Sequence, residues 1–256
     1  MRTVPADAPS VPHTADVTDA STENKTTSTA RRAYALNAGV AWTGVVLTVL
    51  FSALGWYRDA PVELGLYGNT PDGAAGALTR VADTLSYFTI WSNIAVAVAV
   101  TLLAMDPVRD SVARRVLRLS SLLMITVTAI VYQVVLAPGI DVAGWSLLTD
   151  PLLHAVTPLV TVVVWAVWGP RGWITARLLP GALAVPLMWI VWMLARGAVI
   201  DAYPYGFANV VELGYAVVAR NLLLVLVFAL ALAVAFWGLD VVLRRRRDGR
   251  STPHLS

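Results

Sequence analysis

The chain has 256 residues, 57% hydrophobic and only 14% charged, where a soluble domain carries roughly a quarter charged residues. It has no cysteine, which excludes a disulfide framework and a thiolate site. Its three histidines, His13, His154 and His254, leave one in the body of the chain, too few ligands for a zinc site, so no metal or cofactor is expected.

In chain order, residues 1–30 are rich in Thr, Ser, Ala, Asp and Pro, lack an apolar core and read as a disordered cytoplasmic tail. No signal-peptide apolar region precedes the first span, which is expected to act as an uncleaved anchor. Six stretches contain no Asp, Glu, Lys or Arg: 33–57, 84–105, 119–140, 151–170, 178–195 and 221–239. About 20 apolar residues cross the hydrocarbon core as a helix, whereas a barrel would alternate in segments of about ten. The expected fold is therefore all-α: a polytopic bundle of six transmembrane helices over residues 31–243, followed by a basic cytoplasmic tail at 244–256.

Charge placement orients the bundle. With the N-terminus inside, only Arg58, Arg80, Arg196 and Arg220 fall outside, leaving 15 of the 19 Lys and Arg inside. That is the positive-inside bias of a multi-pass protein of the cell membrane. The basic pI near 9.4 then reflects topology and contact with anionic lipid heads, not nucleic acid. The links at 58–82, 138–150 and 196–220 lie outside; the last is semi-apolar and reads as an external loop able to cap the bundle. Both termini are cytoplasmic.

The polar residues inside the spans are few. Ser86, Thr89 and Asn93 are spaced i, i+3 and i+7, so they share one face of the second span. Counted from Asp83, Thr89 lies about 9 Å deep at ~1.5 Å per residue. The stripe has an ordinary account, in which Ser and Thr bond back to the preceding turn and Asn ties helices together. The fourth span opens "DPLLHAVTP". Asp150 and Pro151 read there as an N-cap and first-turn pair. His154 follows four residues later on the same face as Asp150. An intramembrane imidazole is costly and marks a functional site by default. Topology puts Thr89 and His154 at similar depths under the outer surface. A hydroxyl needs a neighbouring base to become a nucleophile. Asn93, with Ser92, is then the candidate oxyanion or substrate-positioning donor, and Asp150 a candidate orienter of His154. Tyr132 and Gln133, near the outer end of the third span, could reach the same pocket, with packing as their ordinary role.

The segments "YFTIWSN", "DPLLHAVTP" and "DAYPYGFANV" resemble the bacterial branch of the androgen-induced membrane protein family over roughly residues 33–243. The resemblance implies a six-span threonine hydrolase of fatty acid esters of hydroxy fatty acids. Thr89 matches the nucleophile of a Thr-x-x-Ser-Asn motif, and His154 the histidine before a Thr-Pro step. The sequence departs from the family where Pro and Asp are expected at Gly206 and Asn209. The expected function is a membrane lipid-ester hydrolase with Thr89 and His154 catalytic, acting on lipid partners. The alternatives are a non-catalytic lipid-binding scaffold and a small-molecule facilitator.

Overall fold

A computed structural model describes residues 14–57, 65–68, 70–71 and 73–250 of the chain, with side chains described from 27 to 249. Helix dominates because a backbone surrounded by hydrocarbon must bond within its own segment. The elements are α1 (Thr14–Leu54), α2 (Ala77–Thr84), α3 (Phe88–Met105), α4 (Val112–Val131), α5 (Ser146–Pro151), α6 (Thr157–Trp168), α7 (Leu179–Ala182), α8 (Ala184–Ile200) and α9 (Val210–Arg250). Among the described residues there is no strand, only an isolated bridge between Leu66 and Tyr203. Six segments are long and apolar enough to cross a membrane: Thr27–Leu54, Phe88–Met105, Val112–Gly139, Ser146–Trp168, Ala176–Ile200 and Val210–Gly249. The chain is thus an all-α polytopic membrane protein.

Several boundaries differ from the sequence expectation. The tail expected at 1–30 is helical from Thr14 onward as the start of α1, and residues 1–13 lie outside the described residues. The second span begins at Phe88, not 84, because Tyr87 adopts an extended conformation and separates α2 from α3. The external loop expected at 196–220 shrinks to 201–209, since α8 continues to Ile200 and α9 resumes at Val210. Charged residues mark where hydrocarbon ends, and a helix runs on past them into the interface. For the same reason Arg244–Arg247 belong to α9 rather than to a separate tail, and 251–256 lie outside the described residues.

The centre of the bundle is α3 and α4. Small residues let α1 approach α3: Ala38 and Ala41 pack with Val96, Ala97, Val100 and Ile125, the close-packing device of membrane helices. On the inner half, Leu119, Leu122 and Leu123 of α4 pack with Trp165 of α6 and Ala233 and Phe236 of α9.

The outer end, so assigned by the charge bias, is built from charge-assisted bonds. Arg80 donates to the carbonyls of Ser52 (2.9 Å) and Ala53 (2.8 Å), which end α1, and to those of Pro71 and Gly73. It thereby satisfies acceptors that the helix leaves open. Arg196 of α8 pairs with Asp83 of α2 at 2.6 Å. Two of the four arginines on the outer side are therefore structural. Tyr203 in the 201–209 loop donates its N–H to Gly65 (2.7 Å) and accepts from Tyr67 (3.2 Å), joining two external links. Tyr203, Tyr205 and Ala208 are buried with Trp189, Met193, Val218 and Leu222, so this loop is core at the outer end of the bundle.

Candidate functional site

The first turn of α3 carries the site. Helix starts leave their first N–H groups without helical acceptors. Here the Thr89 N–H points at the Tyr205 hydroxyl, 3.4 Å away. Tyr205 comes from the buried 201–209 loop, and burial pushes its phenol up to about 12, while its bonds to the Thr89 side chain and backbone pull the other way. It is a neutral hydroxyl across the physiological range, able to donate. Burial likewise raises the neighbouring Tyr87.

The Thr89 Oγ1 lies 3.1 Å from His154 Nε2. On the far side of the ring, Nδ1 is 3.0 Å from the Asp150 carboxylate and 3.1 Å from the Asp150 carbonyl. Both Asp150 groups accept only, so Nδ1 carries the proton. Nε2 then presents its lone pair, and the Thr89 hydroxyl donates to it. The phenol ring of Tyr132 lies flat on the imidazole, 3.6 Å between centroids and tilted by 8°, and its hydroxyl bonds the Asp150 carboxylate. Thr89 is 8% exposed, and the His154 and Asp150 side chains 13% and 22%. The group is thus sheltered but reachable.

The local backbone explains how His154 gets there. Asp150 is not the N-cap expected from "DP": α5 starts four residues earlier at Ser146, and Pro151 is its last residue. A π turn follows at Leu152–Val156, in which the Thr157 N–H reaches back to the Leu152 carbonyl. By that register the Leu153 carbonyl would be met by residue 158, which is proline and has no N–H. Asn93 supplies the missing donor, its Nδ2 lying 3.3 Å from the Leu153 carbonyl and 2.8 Å from that of Thr89. A second π turn, Tyr132–Leu136, ends α4 beside the site. Such turns insert one extra residue per turn and recur at functional sites.

Asn93 and Ser92 make the back-bonds and the interhelical tie of their ordinary account. Both amide protons of Asn93 are engaged by backbone carbonyls. Ser92 donates to the Thr89 carbonyl at 2.8 Å and accepts from Thr128 at 2.8 Å. Both residues are fully buried and hold the turn that carries Thr89, rather than facing a reacting oxygen. Two further side chains stand at the pair: Tyr205 at the Thr89 N–H and Tyr132 on the His154 ring. The Ser86 hydroxyl, on the same stripe, bonds back to the Ala82 carbonyl (2.7 Å), as its ordinary account expects, and accepts from Trp192 (3.2 Å).

Thr89, Thr128, Tyr132 and Tyr205 line a small cavity of about 30 Å³ together with Phe88, Trp189 and Phe207. Among the described residues, no group of three or more His, Cys, Asp or Glu is gathered as a metal site would require. Fold and site together define a six-span membrane protein with a sheltered Thr–His–Asp chain at the outer end of its bundle. No family model, curated protein or solved structure matches the chain.

Proposed function

We propose that this protein is a hydrolase of lipid esters embedded in the cell membrane, working from the extracytoplasmic leaflet with Thr89 as nucleophile and His154 as base. The observation that carries the reading is the 3.1 Å approach of Thr89 Oγ1 to His154 Nε2, with Asp150 fixing the opposite nitrogen. Nucleophile, base and orienter within hydrogen-bond reach are the recognisable form of acyl-transfer chemistry.

In the proposed reaction the Thr89 oxygen attacks the ester carbonyl carbon as its proton passes to His154 Nε2. The carbonyl π electrons move to oxygen. When they return, the bond to the alcohol oxygen breaks, and the leaving alcohol takes the proton from Nε2. Water then attacks the acyl-threonine, giving a proton to Nε2. Collapse releases the carboxylic acid and returns that proton to Thr89. The imidazolium formed at each stage faces the Asp150 carboxylate. Tyr132, stacked on the ring, keeps it in the plane that Thr89 requires. The oxyanion faces the Tyr205 hydroxyl at the N-terminus of α3, where the helix dipole favours negative charge. By the sequence resemblance, the substrates belong to the fatty acid esters of hydroxy fatty acids.

The test is purified protein in detergent with a fluorophosphonate probe and a fatty acid ester of a hydroxy fatty acid. Labelling mapped to Thr89, with release of fatty acid, is expected. Co-purified lipid without labelling or turnover would mark a lipid-binding scaffold instead. Uptake into liposomes without turnover would mark a facilitator.

Two substitutions grade the supporting groups. Tyr205→Phe removes one oxyanion donor and should lower kcat on the order of 10²-fold while leaving the protein folded, as read by its elution profile. Asp150→Asn should cost less than the ~10⁴-fold seen when a triad carboxylate is the sole partner of its histidine. The Asp150 backbone carbonyl, 3.1 Å from Nδ1, still holds the productive tautomer in the variant. A loss of about ten- to a hundredfold in kcat is expected, and a loss as large as that of His154→Ala would overturn this assignment.

A further inference from the structure

The Thr89 cavity does not end at its apolar wall. A second small cavity, of about 40 Å³ and open at one side, lies between α4, α8 and α9. The two share Phe88, Val127, Trp189, Phe207 and Val225, so they adjoin, with Thr89 at the outer end of the pair. The deeper part is lined by Leu123, Met124, Leu226 and Ala229 among others. Its polar atoms are already engaged. Trp189 donates its indole N–H to the Ser86 carbonyl at 2.9 Å, and the Met124 sulfur accepts from Ser120 at 3.7 Å. Nothing in this part of the groove offers a hydrogen bond to a ligand, and a polar ligand there would be desolvated without return.

We infer that the groove between α4, α8 and α9 is a subsite for one unbranched hydrocarbon chain of the ester, running from the Thr89 hydroxyl toward the middle of the bilayer. Adjacency to the Thr89 cavity selects this occupant: a chain whose carbonyl sits at Thr89 has this apolar recess beside it. A chain that enters from the leaflet exchanges one apolar surrounding for another, so fit to the groove, not escape from water, sets the preference. A second polar group on that chain would find no partner. The depth acts as a ruler. From Val131, level with the site, to Leu123 at the deep end is eight residues of α4, about 12 Å at ~1.5 Å per residue. That length holds roughly nine or ten carbons at ~1.25 Å of advance per staggered single bond. Longer chains must bend or leave the groove.

The turnover arm of the test rests on the ester-hydrolase reading; a binding arm does not. In the first, p-nitrophenyl esters of graded acyl length are compared in detergent. Wild-type protein should prefer chains near ten carbons. Ala229→Phe fills the deep end, and the ratio of ten-carbon to four-carbon turnover should fall about tenfold, mainly through KM. Leu226→Ala deepens the groove and should move the optimum to longer chains. In the second arm, a fatty acid with a diazirine near its tenth carbon is photolysed with Thr89→Ala protein. Cross-links should fall on α4 near Met124 and on α9 near Leu226. Cross-links there without any turnover would keep the chain subsite and remove the hydrolase. Turnover whose chain-length profile is unchanged in both folded variants, or cross-links confined elsewhere, would overturn the subsite and leave the hydrolase standing.

Discussion

Alanine at either Thr89 or His154 should slow ester turnover by about 10³-fold or more, and the double variant should be no slower than the slower single one. Groups that act as a unit are strongly non-additive, because removing either member of a nucleophile–base pair already removes the path that the other serves. On the proposed reading, the Thr89 hydroxyl and His154 Nε2, 3.1 Å apart, form such a unit. The background left in each variant would come from binding and from the Tyr205 hydroxyl. Fluorophosphonate labelling separates chemistry from folding. It should vanish in Thr89→Ala, return in Thr89→Ser, and fall steeply in His154→Ala with the elution profile intact. Stability should change little, since one hydrogen bond is worth only ~1 kcal/mol net and the His154 side chain, 13% exposed, can take water in place of the hydroxyl. Labelling that persists at wild-type rate in both alanine variants would remove the assigned roles.

The sequence made six spans readable because the constraint is physical and local: a segment in hydrocarbon cannot carry charge cheaply. It placed Thr89 and His154 at one depth for the same reason, since the charge bias orders the spans. What it could not show was the backbone detail that decides which donors are free. Asn93 looked available for an oxyanion because its partner does not arise from spacing. That partner exists only because a π turn and Pro158 together leave the Leu153 carbonyl open. Asp150 looked like a helix start because "DP" is a good start, yet an earlier turn from Ser146 puts it inside a helix. There its side chain and its carbonyl both reach His154 Nδ1. Tyr205 lay in a stretch read as external loop. Its semi-apolar composition was the available signal, and burial of that loop against α8 and α9 is a tertiary event that periodicity does not report. Tyr132 was noticed but given to packing. It does pack, and the surface it packs on is the imidazole.

Removal of Arg196 should destabilise the protein by about 3–5 kcal/mol, the range for breaking a buried ion pair from one side. The pair is sheltered, with the Arg196 and Asp83 side chains 12% and 11% exposed at 2.6 Å separation. It ties the last turn of α2 to the outer part of α8, six residues ahead of Thr89. Arg196→Ala strands a carboxylate on a short side chain that cannot reach out to water. Asp83→Ala should cost less. The guanidinium left behind keeps its place over the Tyr67 ring, 4.6 Å from the centroid, and its long stem can carry the charge toward the interface. Replacing both, as Asp83→Leu with Arg196→Met, should recover most of the loss, because an apolar pair of similar volume removes the desolvation cost along with the attraction. Thermal unfolding in detergent checks the order: Arg196→Ala lowest, Asp83→Ala between, the double variant near wild type. Fluorophosphonate labelling at a temperature where all four remain folded should follow the same order, since a loosened α2 no longer fixes the Tyr87 turn from which α3 and Thr89 start. Equal and small losses in both single variants, of the size expected for an exposed pair, would show that this bond does not hold the outer end together.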